Sequence, residues 1–404
     1  MQARSILTAT VLVSALGYFV DVYDLLLFSI VRVESLRDLG IAEERMLDVG
    51  VLLLNWQMAG LLLGGIAWGV LGDRRGRVSV LFGSIALYSV ANIANAFVTS
   101  IPAYAALRFF AGLGLAGELG AAITLVTETL PKETRGYGTA IVASFGLMGA
   151  VVAALVGNLT GWRIAFLIGG GLGLALLVLR FRLRESGMFE TARTGDAPRG
   201  SLRQLLATSE RRWRYLHCIL LGMPIWFAIG VLVTFAPEFG RELRLTGPVT
   251  AGVAVLVAYA GGVVGDLASG FASQKLRSRQ NVLLVFIGGI ALAMDVMLFG
   301  RGYSPGTFYV LCAILGFFVG YWAVFVTNAA EQFGTNLRAT VATTVPNLIR
   351  GSVVPLTLLT TALRGPLGLG RAAIVVGAGC CLIALWSLRS LKETYGADLD
   401  YVEV

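Results

Sequence analysis

LDVGVLLLNWQMAGLLLGGIAWGVLGDRRGRVSVLFGSIALYSVANIANAFV, residues 47–98, contains two apolar runs split by one charged knot at Asp73, Arg74, Arg75 and Arg77. No charged residue falls between Val49 and Gly72. A helix rises about 1.5 Å per residue, so runs of this length span the roughly 30 Å hydrocarbon core of a bilayer. The bilayer is therefore the solvent, and the knot lies at one of its surfaces.

The same pattern extends both ways. Apolar runs fall at 7–31, 47–71, 78–98, 102–127, 136–158 and 162–183, then at 215–237, 248–273, 281–299, 306–331, 338–363 and 370–391. They predict an all-α integral membrane protein with 12 transmembrane helices. Composition agrees: the 404 residues are 56% hydrophobic and 14% charged, where a soluble domain carries about 25% charged residues. The first run is too long for a signal peptide and contains Asp21 and Asp24, so it reads as a retained helix.

The net charge of +8 is spread between the runs and not gathered on one soluble face, which argues against nucleic acid as a partner. Basic residues concentrate between residues 180 and 214 and at 74–77 and 275–279. The positive-inside rule then predicts both termini in the cytoplasm, in a multi-pass protein of the cell inner membrane. Cys218, Cys312, Cys380 and Cys381 lie inside apolar runs and read as packing residues. His217, the single histidine, has no second ligand near it in sequence, so no metal is expected. With no Gly-x-x-x-x-Gly-Lys-Ser/Thr loop, ATP is not the expected energy source and no cofactor is implied.

An internal repeat divides the chain. Glu128 and Arg135 stand seven apart after the fourth run, and Glu331 and Arg338 stand seven apart after the tenth. The loop at residues 69–77 has its counterpart at 270–279. Two pseudo-symmetric six-helix bundles, 1–184 and 215–404, joined by a cytoplasmic linker at 185–214, are the expected domains. Parallel repeats of this kind place a substrate cavity at their interface near the bilayer midplane. Small residues four apart, as in Gly60/Gly64, Gly157/Gly161 and Gly169/Gly173, predict close helix packing.

Several motifs carry a family resemblance. Gly69-x-x-Gly72-Asp73-Arg74-x-Gly76-Arg77 resembles the signature loop of the major facilitator superfamily. The Arg108–Glu118 stretch and Glu128-x-x-Pro131-x-x-x-Arg135-Gly136 are similar to segments of sugar porters, organic-ion transporters and proton-coupled metabolite and aromatic-acid symporters. The segment Arg184-Glu185-Ser186-Gly187 resembles those families' Pro-Glu-Ser-Pro element without its prolines, and residues 144–154 lack the Gly-Pro pair of drug antiporters. The resemblance implies the major facilitator fold, a monomer, a small-molecule substrate and protons as co-substrate. It also implies gating roles for Gly69, Asp73, Arg74, Gly76, Arg77, Glu128, Arg135, Glu331 and Arg338.

Ionisable residues inside a membrane are functional candidates by default. Asp21-Val22-Tyr23-Asp24 resembles the Asp-Gly-Phe/Tyr-Asp element of aromatic-acid symporters. Asp24 and Arg108 both lie roughly 10 Å deep by helix arithmetic, so they are expected to pair. The matching pair of sugar porters is proton-linked, and the resemblance gives that role to Asp24 and Arg108. Asp21, on the same face as Asp24, would share the arginine as a second proton-coupling acid. Arg350 lies near the midplane, where its fork suits a substrate carboxylate or a structural acid partner. Asn347, one turn away, is a second candidate contact, and Gln57, Trp226, Tyr321 and Trp322 are candidate cavity residues. Glu118 and Asp266 fall nearer the cytoplasm and read as gate groups or inter-helix hydrogen-bond groups. The preferred reading is proton symport of a small organic anion by alternating access. The alternatives are a sugar or polyol porter and a membrane sensor with the same fold.

Overall fold

The computed structural model describes residues 9–75, 77–118, 135–180, 202–396 and 402–403. The first half contains α1 (Ala9–Asp38), α2 (Met46–Arg75), α3 (Arg77–Asn95), α4 (Ile101–Leu115), α5 (Arg135–Thr160) and α6 (Trp162–Arg180). In the second half α7 is built from Ser209–Leu221, Met223–Phe227 and a π-helical turn at Ala228–Val233. Then come α8 (Ala251–Leu276), α9 (Arg279–Phe299), α10 in two pieces (Pro305–Val319 and Trp322–Glu331), α11 in two pieces (Thr335–Gly351 and Val353–Leu367) and α12 (Leu369–Ser390). Among the described residues the helices thus form twelve spans, six in each half.

Helices satisfy every backbone group within the segment, as hydrocarbon demands. Their starts are set locally. Thr250, Ser278 and Ser304 accept hydrogen bonds from the amides of Val253, Asn281 and Thr307, and Pro305 occupies the first turn of α10. Among the described residues the spanning start furthest ahead of its expected place is that of α7, which begins at Ser209 behind the Thr208 cap and so takes in Arg211 and Trp213.

Two glycine seams hold the halves together internally, and they correspond. A Cβ at Gly60 would lie 2.1 Å from the Phe109 carbonyl oxygen, and one at Gly112 would lie 2.0 Å from that of Gln57. The α2 and α4 backbones therefore touch directly. In the second half, Cβ atoms at Gly261 and Gly265 would lie 2.1 and 1.9 Å from the carbonyl oxygens of Ala313 and Phe317, and one at Gly316 1.9 Å from that of Ala258. Only glycine permits this approach. Gly60 and Gly64 match Gly261 and Gly265 at the spacing of the sequence repeat. At a third close approach a Cβ at Gly149 would lie 2.1 Å from the Phe19 carbonyl oxygen, which sets α5 tight against α1.

Contacts between the halves are of another kind, made mainly by side chains of α5 with α8, α1 with α8 and α2 with α11. Three helices of the second half are interrupted, α7, α10 and, at Ser352, α11. Gly222 ends the first piece of α7 and Pro224 opens the next. Gly320 and Tyr321 separate the pieces of α10, and a Cβ at Gly320 would lie 2.5 Å from the Asp266 amide nitrogen, so α8 packs into the break.

Candidate transport site

A cavity lies between the halves, walled by α1, α5, α7, α8, α10 and α11. Arg350, 1% exposed, reaches it from α11. Its Nη2 donates to Asp21 Oδ2 across the interface at 3.4 Å, while Nε and Nη1 have no hydrogen-bond partner. The guanidinium carbon lies 5.8 Å from the Trp226 ring centre and 5.9 Å from that of Trp322. Both tryptophans line the cavity.

Other expectations require correction. Asp24 and Arg108 make no ion pair among the described residues. Arg108 Nη2 instead donates to Asn92 Oδ1, and its guanidinium sits 4.6 Å over the Phe166 ring. The Asp24 carboxylate lies against Gly169 and makes no hydrogen bond. Depth arithmetic fixes height along the bilayer normal but not the direction a side chain leaves its helix, and α1 is turned so that Asp21 faces α11. Asp21 therefore pairs with Arg350 and does not share Arg108.

Asn347 is buried away from the cavity. Its Nδ2 donates to the Ala116 carbonyl at 2.9 Å, clasping α11 to the end of α4 across the interface. Gln57 donates to the Leu25 carbonyl at 3.2 Å and joins α2 to α1. Tyr321 points back to the Leu221 carbonyl at 3.3 Å and packs on Phe286. None of the three lines the cavity.

Asp266 does line it. Its Oδ1 accepts the Ala323 amide at 2.9 Å, capping the half-helix that restarts after the α10 break. Tyr18 and Tyr259 also face the cavity, and sequence reasoning missed them. Their spacing held a signal: Tyr18 precedes Asp21 by three residues and Tyr259 precedes Asp266 by seven, both same-face spacings on a helix.

The end of the bundle where α1 meets α2 is closed by ion pairs between the halves. Arg32 Nη1 and Nη2 donate to both carboxylate oxygens of Glu238 at 2.8 Å, fully buried, with the guanidinium 4.6 Å over Phe235. Arg241 reaches Glu43 at 2.9 Å and Arg364 reaches Asp48 at 3.2 Å. Hydrogen bonds from Arg37 and then Arg241 hold the Glu43 carboxyl below its ordinary range.

At the opposite end, Glu331 forms a two-pronged pair with Arg279 and accepts from Thr394 at 2.8 Å. Arg338 donates to the Phe333 carbonyl at 3.3 Å. Glu393 accepts from Ser278 and from the amides of Arg279, Gln280 and Tyr395. Burial alone would raise its carboxyl, but these bonds prevail and bring it to about 2. Glu118 is buried within Coulombic range of Asp21. Gly76 and Glu128 lie outside the described residues, as do the side chains of Asp73, Arg74, Arg77 and Arg135, and nothing is described around Gly69.

The fold and this interface define a helical carrier of two halves with a central cavity. Residues 7–345 match the model of the Major Facilitator Superfamily, and the chain belongs to that family. It is a multi-pass membrane transporter and not an enzyme. It is 29% identical to the niacin transporter NiaP of Acinetobacter baylyi over 69% of this chain and 70% of that one. It is 26% identical to a probable 4-methylmuconolactone transporter of Cupriavidus pinatubonensis over 96% and 90%. Its fold is similar to the xylose transporter XylE from E. coli in a partially occluded inward open conformation. That likeness has a TM-score of 0.74 at 18% identity and covers 97% of this chain and 99% of the other.

Proposed function

We propose that this transporter carries a small organic carboxylate together with a proton, by alternating exposure of the cavity. One observation carries the reading: a buried arginine faces the cavity with Nε and Nη1 unbonded, between two tryptophan rings. A buried cation with unmet donors costs several kcal/mol, roughly, until an anion completes it. A carboxylate matches the planar fork, and the indole faces suit an apolar or aromatic body. The relative named for niacin, a small aromatic acid, supports the same class. A sugar offers no charge to complete Arg350, which disfavours the polyol reading.

Asp21 supplies the coupling in this scheme. The empty carrier holds one positive and one negative group in contact, Arg350 and Asp21. When an anion takes Arg350, an ionised Asp21 becomes an excess charge in a low-dielectric interior, so it binds a proton. Loaded and empty carriers then carry the same charge through the interface, and the anion crosses only with its proton. Asp24 and Arg108 lie one turn away as a secondary polar layer.

In the same proposal both termini lie in the cytoplasm, so the Arg32–Glu238 end is external and closed. The halves at 1–184 and 215–404 rock about the cavity, and the charged loops at residues 69–77, 128–135 and 331–338 form the cytoplasmic gate. The chain acts as a monomer in the inner membrane. Labelled nicotinate or benzoate in proteoliposomes tests the proposal. Uptake should require an inward proton gradient and should be lost with the neutral amide. Robust exchange of sugars with none of carboxylates would refute it.

A further inference from the structure

Arg350 occupies one wall of the cavity and Asp266 another, with Tyr18 within Coulombic range of both. Asp266 is 6% exposed, and its carboxylate makes one hydrogen bond among the described residues, through Oδ1 to the Ala323 amide. That bond sits at the N-terminus of the half-helix Trp322–Glu331, whose dipole favours a negative charge. The group is thereby fixed in place in the cavity lining, and its second oxygen accepts no hydrogen bond among the described residues. Among the described lining residues Arg350 is the one cation, whereas Asp266 is an acid with no cationic partner.

We infer that Asp266 determines the valence of the cargo. The cavity admits a carboxylate at Arg350 and, at the other end of the molecule, a neutral hydrogen-bond donor such as a hydroxyl or amide; it rejects a second carboxylate. The inference rests on the reading of Arg350 as the carboxylate site. A dianion bound there would set its distal charge against the Asp266 carboxylate with no cation to receive it, and like charges facing one another in a buried site act as negative selection. The half-helix N-terminus could have served as a second anion site, but a tethered carboxylate already holds it. Replacement by asparagine keeps an oxygen for the Ala323 amide and removes the charge.

The test compares ligands of one shape and two charges. Calorimetry on the purified full-length protein would use benzoate, terephthalate and its monoamide, with the meta-substituted pair run alongside. In the unaltered protein the monoamide of at least one pair should bind at least about tenfold more tightly than the matching dicarboxylate, as expected for two like charges meeting at low dielectric. In Asp266→Asn that ratio should fall to within about threefold, since the repulsion is gone. A dicarboxylate that binds the unaltered protein as well as its monoamide overturns the inference without any variant being needed. So does a ratio unchanged in a folded Asp266→Asn protein, and so does binding of benzoate with exclusion of both monoamides. If benzoate itself does not bind, the carboxylate site at Arg350 falls and the valence rule falls with it, which distinguishes that failure from the others.

Discussion

Asp21→Asn removes a charge and little else, because asparagine keeps the size of the side chain and an oxygen for Arg350. The pair it breaks is buried on both sides, at 3.4 Å. At an effective dielectric of 20 the Coulomb attraction at this distance is about 5 kcal/mol, before desolvation is subtracted. Removing one partner of a buried pair costs about 3–5 kcal/mol, since it strands the other charge. In the proposed scheme the cost falls on the empty form alone, because a bound carboxylate would satisfy Arg350 in the loaded one. Return of the empty carrier should therefore slow by at least about a hundredfold, at a factor of ten per 1.36 kcal/mol. Exchange with substrate on both sides of the membrane requires only the loaded form and should persist. Proteoliposomes separate the two: counterflow of labelled benzoate should continue in Asp21→Asn, and accumulation driven by an imposed pH difference should vanish. Accumulation at the unaltered level would show that Asp21 does not couple the proton, and would move the search to Asp24.

Arg350→Lys keeps the charge but loses the fork, so carboxylate affinity should fall by about 1.5–3 kcal/mol, read by calorimetry; unchanged affinity would dismiss the site. Gly112→Ala drives a methyl into the Gln57 carbonyl, and a loss of about 1–3 kcal/mol or more should appear as a lowered Tm in detergent. Glu238→Gln strands Arg32 and should favour opening of that end, measured as faster thiol labelling of a cysteine placed at Val231, which is buried in this structure. Glu393 has its folded pKa depressed from 4.5 to about 2. Its contribution to stability is present above 4.5 and is lost as pH falls toward 2. The Tm gap between Glu393→Gln and the unaltered protein should accordingly be full at pH 7 and shrink below pH 4.5.

The spans and the repeat were legible because lipid imposes a length and a polarity on every crossing segment. Arg350, Trp226, Trp322 and Asp21 were legible as candidates for the same reason: polar and aromatic groups at that depth need a purpose. Their partners were not. Asp21 and Asp24 stand one turn apart at similar depth, and only the rotation of α1, fixed where Phe19 meets Gly149, decides which of them meets α11. Asn347 shares a face with Arg350, yet it lies one turn lower, where the halves close on each other and leave no cavity. The pairing of Arg32 with Glu238 was not legible, since residues 206 positions apart carry no mark of mutual contact. The break at Gly320 was hidden within an apolar run, because glycines recur throughout these runs, where most serve helix packing.

The glycine seams have a mechanical consequence. With α2 locked to α4 and α8 to α10 by backbone contact, neither pair can slide without a collision of main-chain atoms, so each acts as a stiff beam. Deformation must then concentrate where the halves meet through side-chain bonds, at Asp21 with Arg350, Asn347 with the Ala116 carbonyl and Arg32 with Glu238. Those three contacts sit at successive heights along one fault line. A force applied at either end of it is transmitted as leverage and not dissipated as bending, so a sub-ångström change at the central pair can reach both mouths of the carrier.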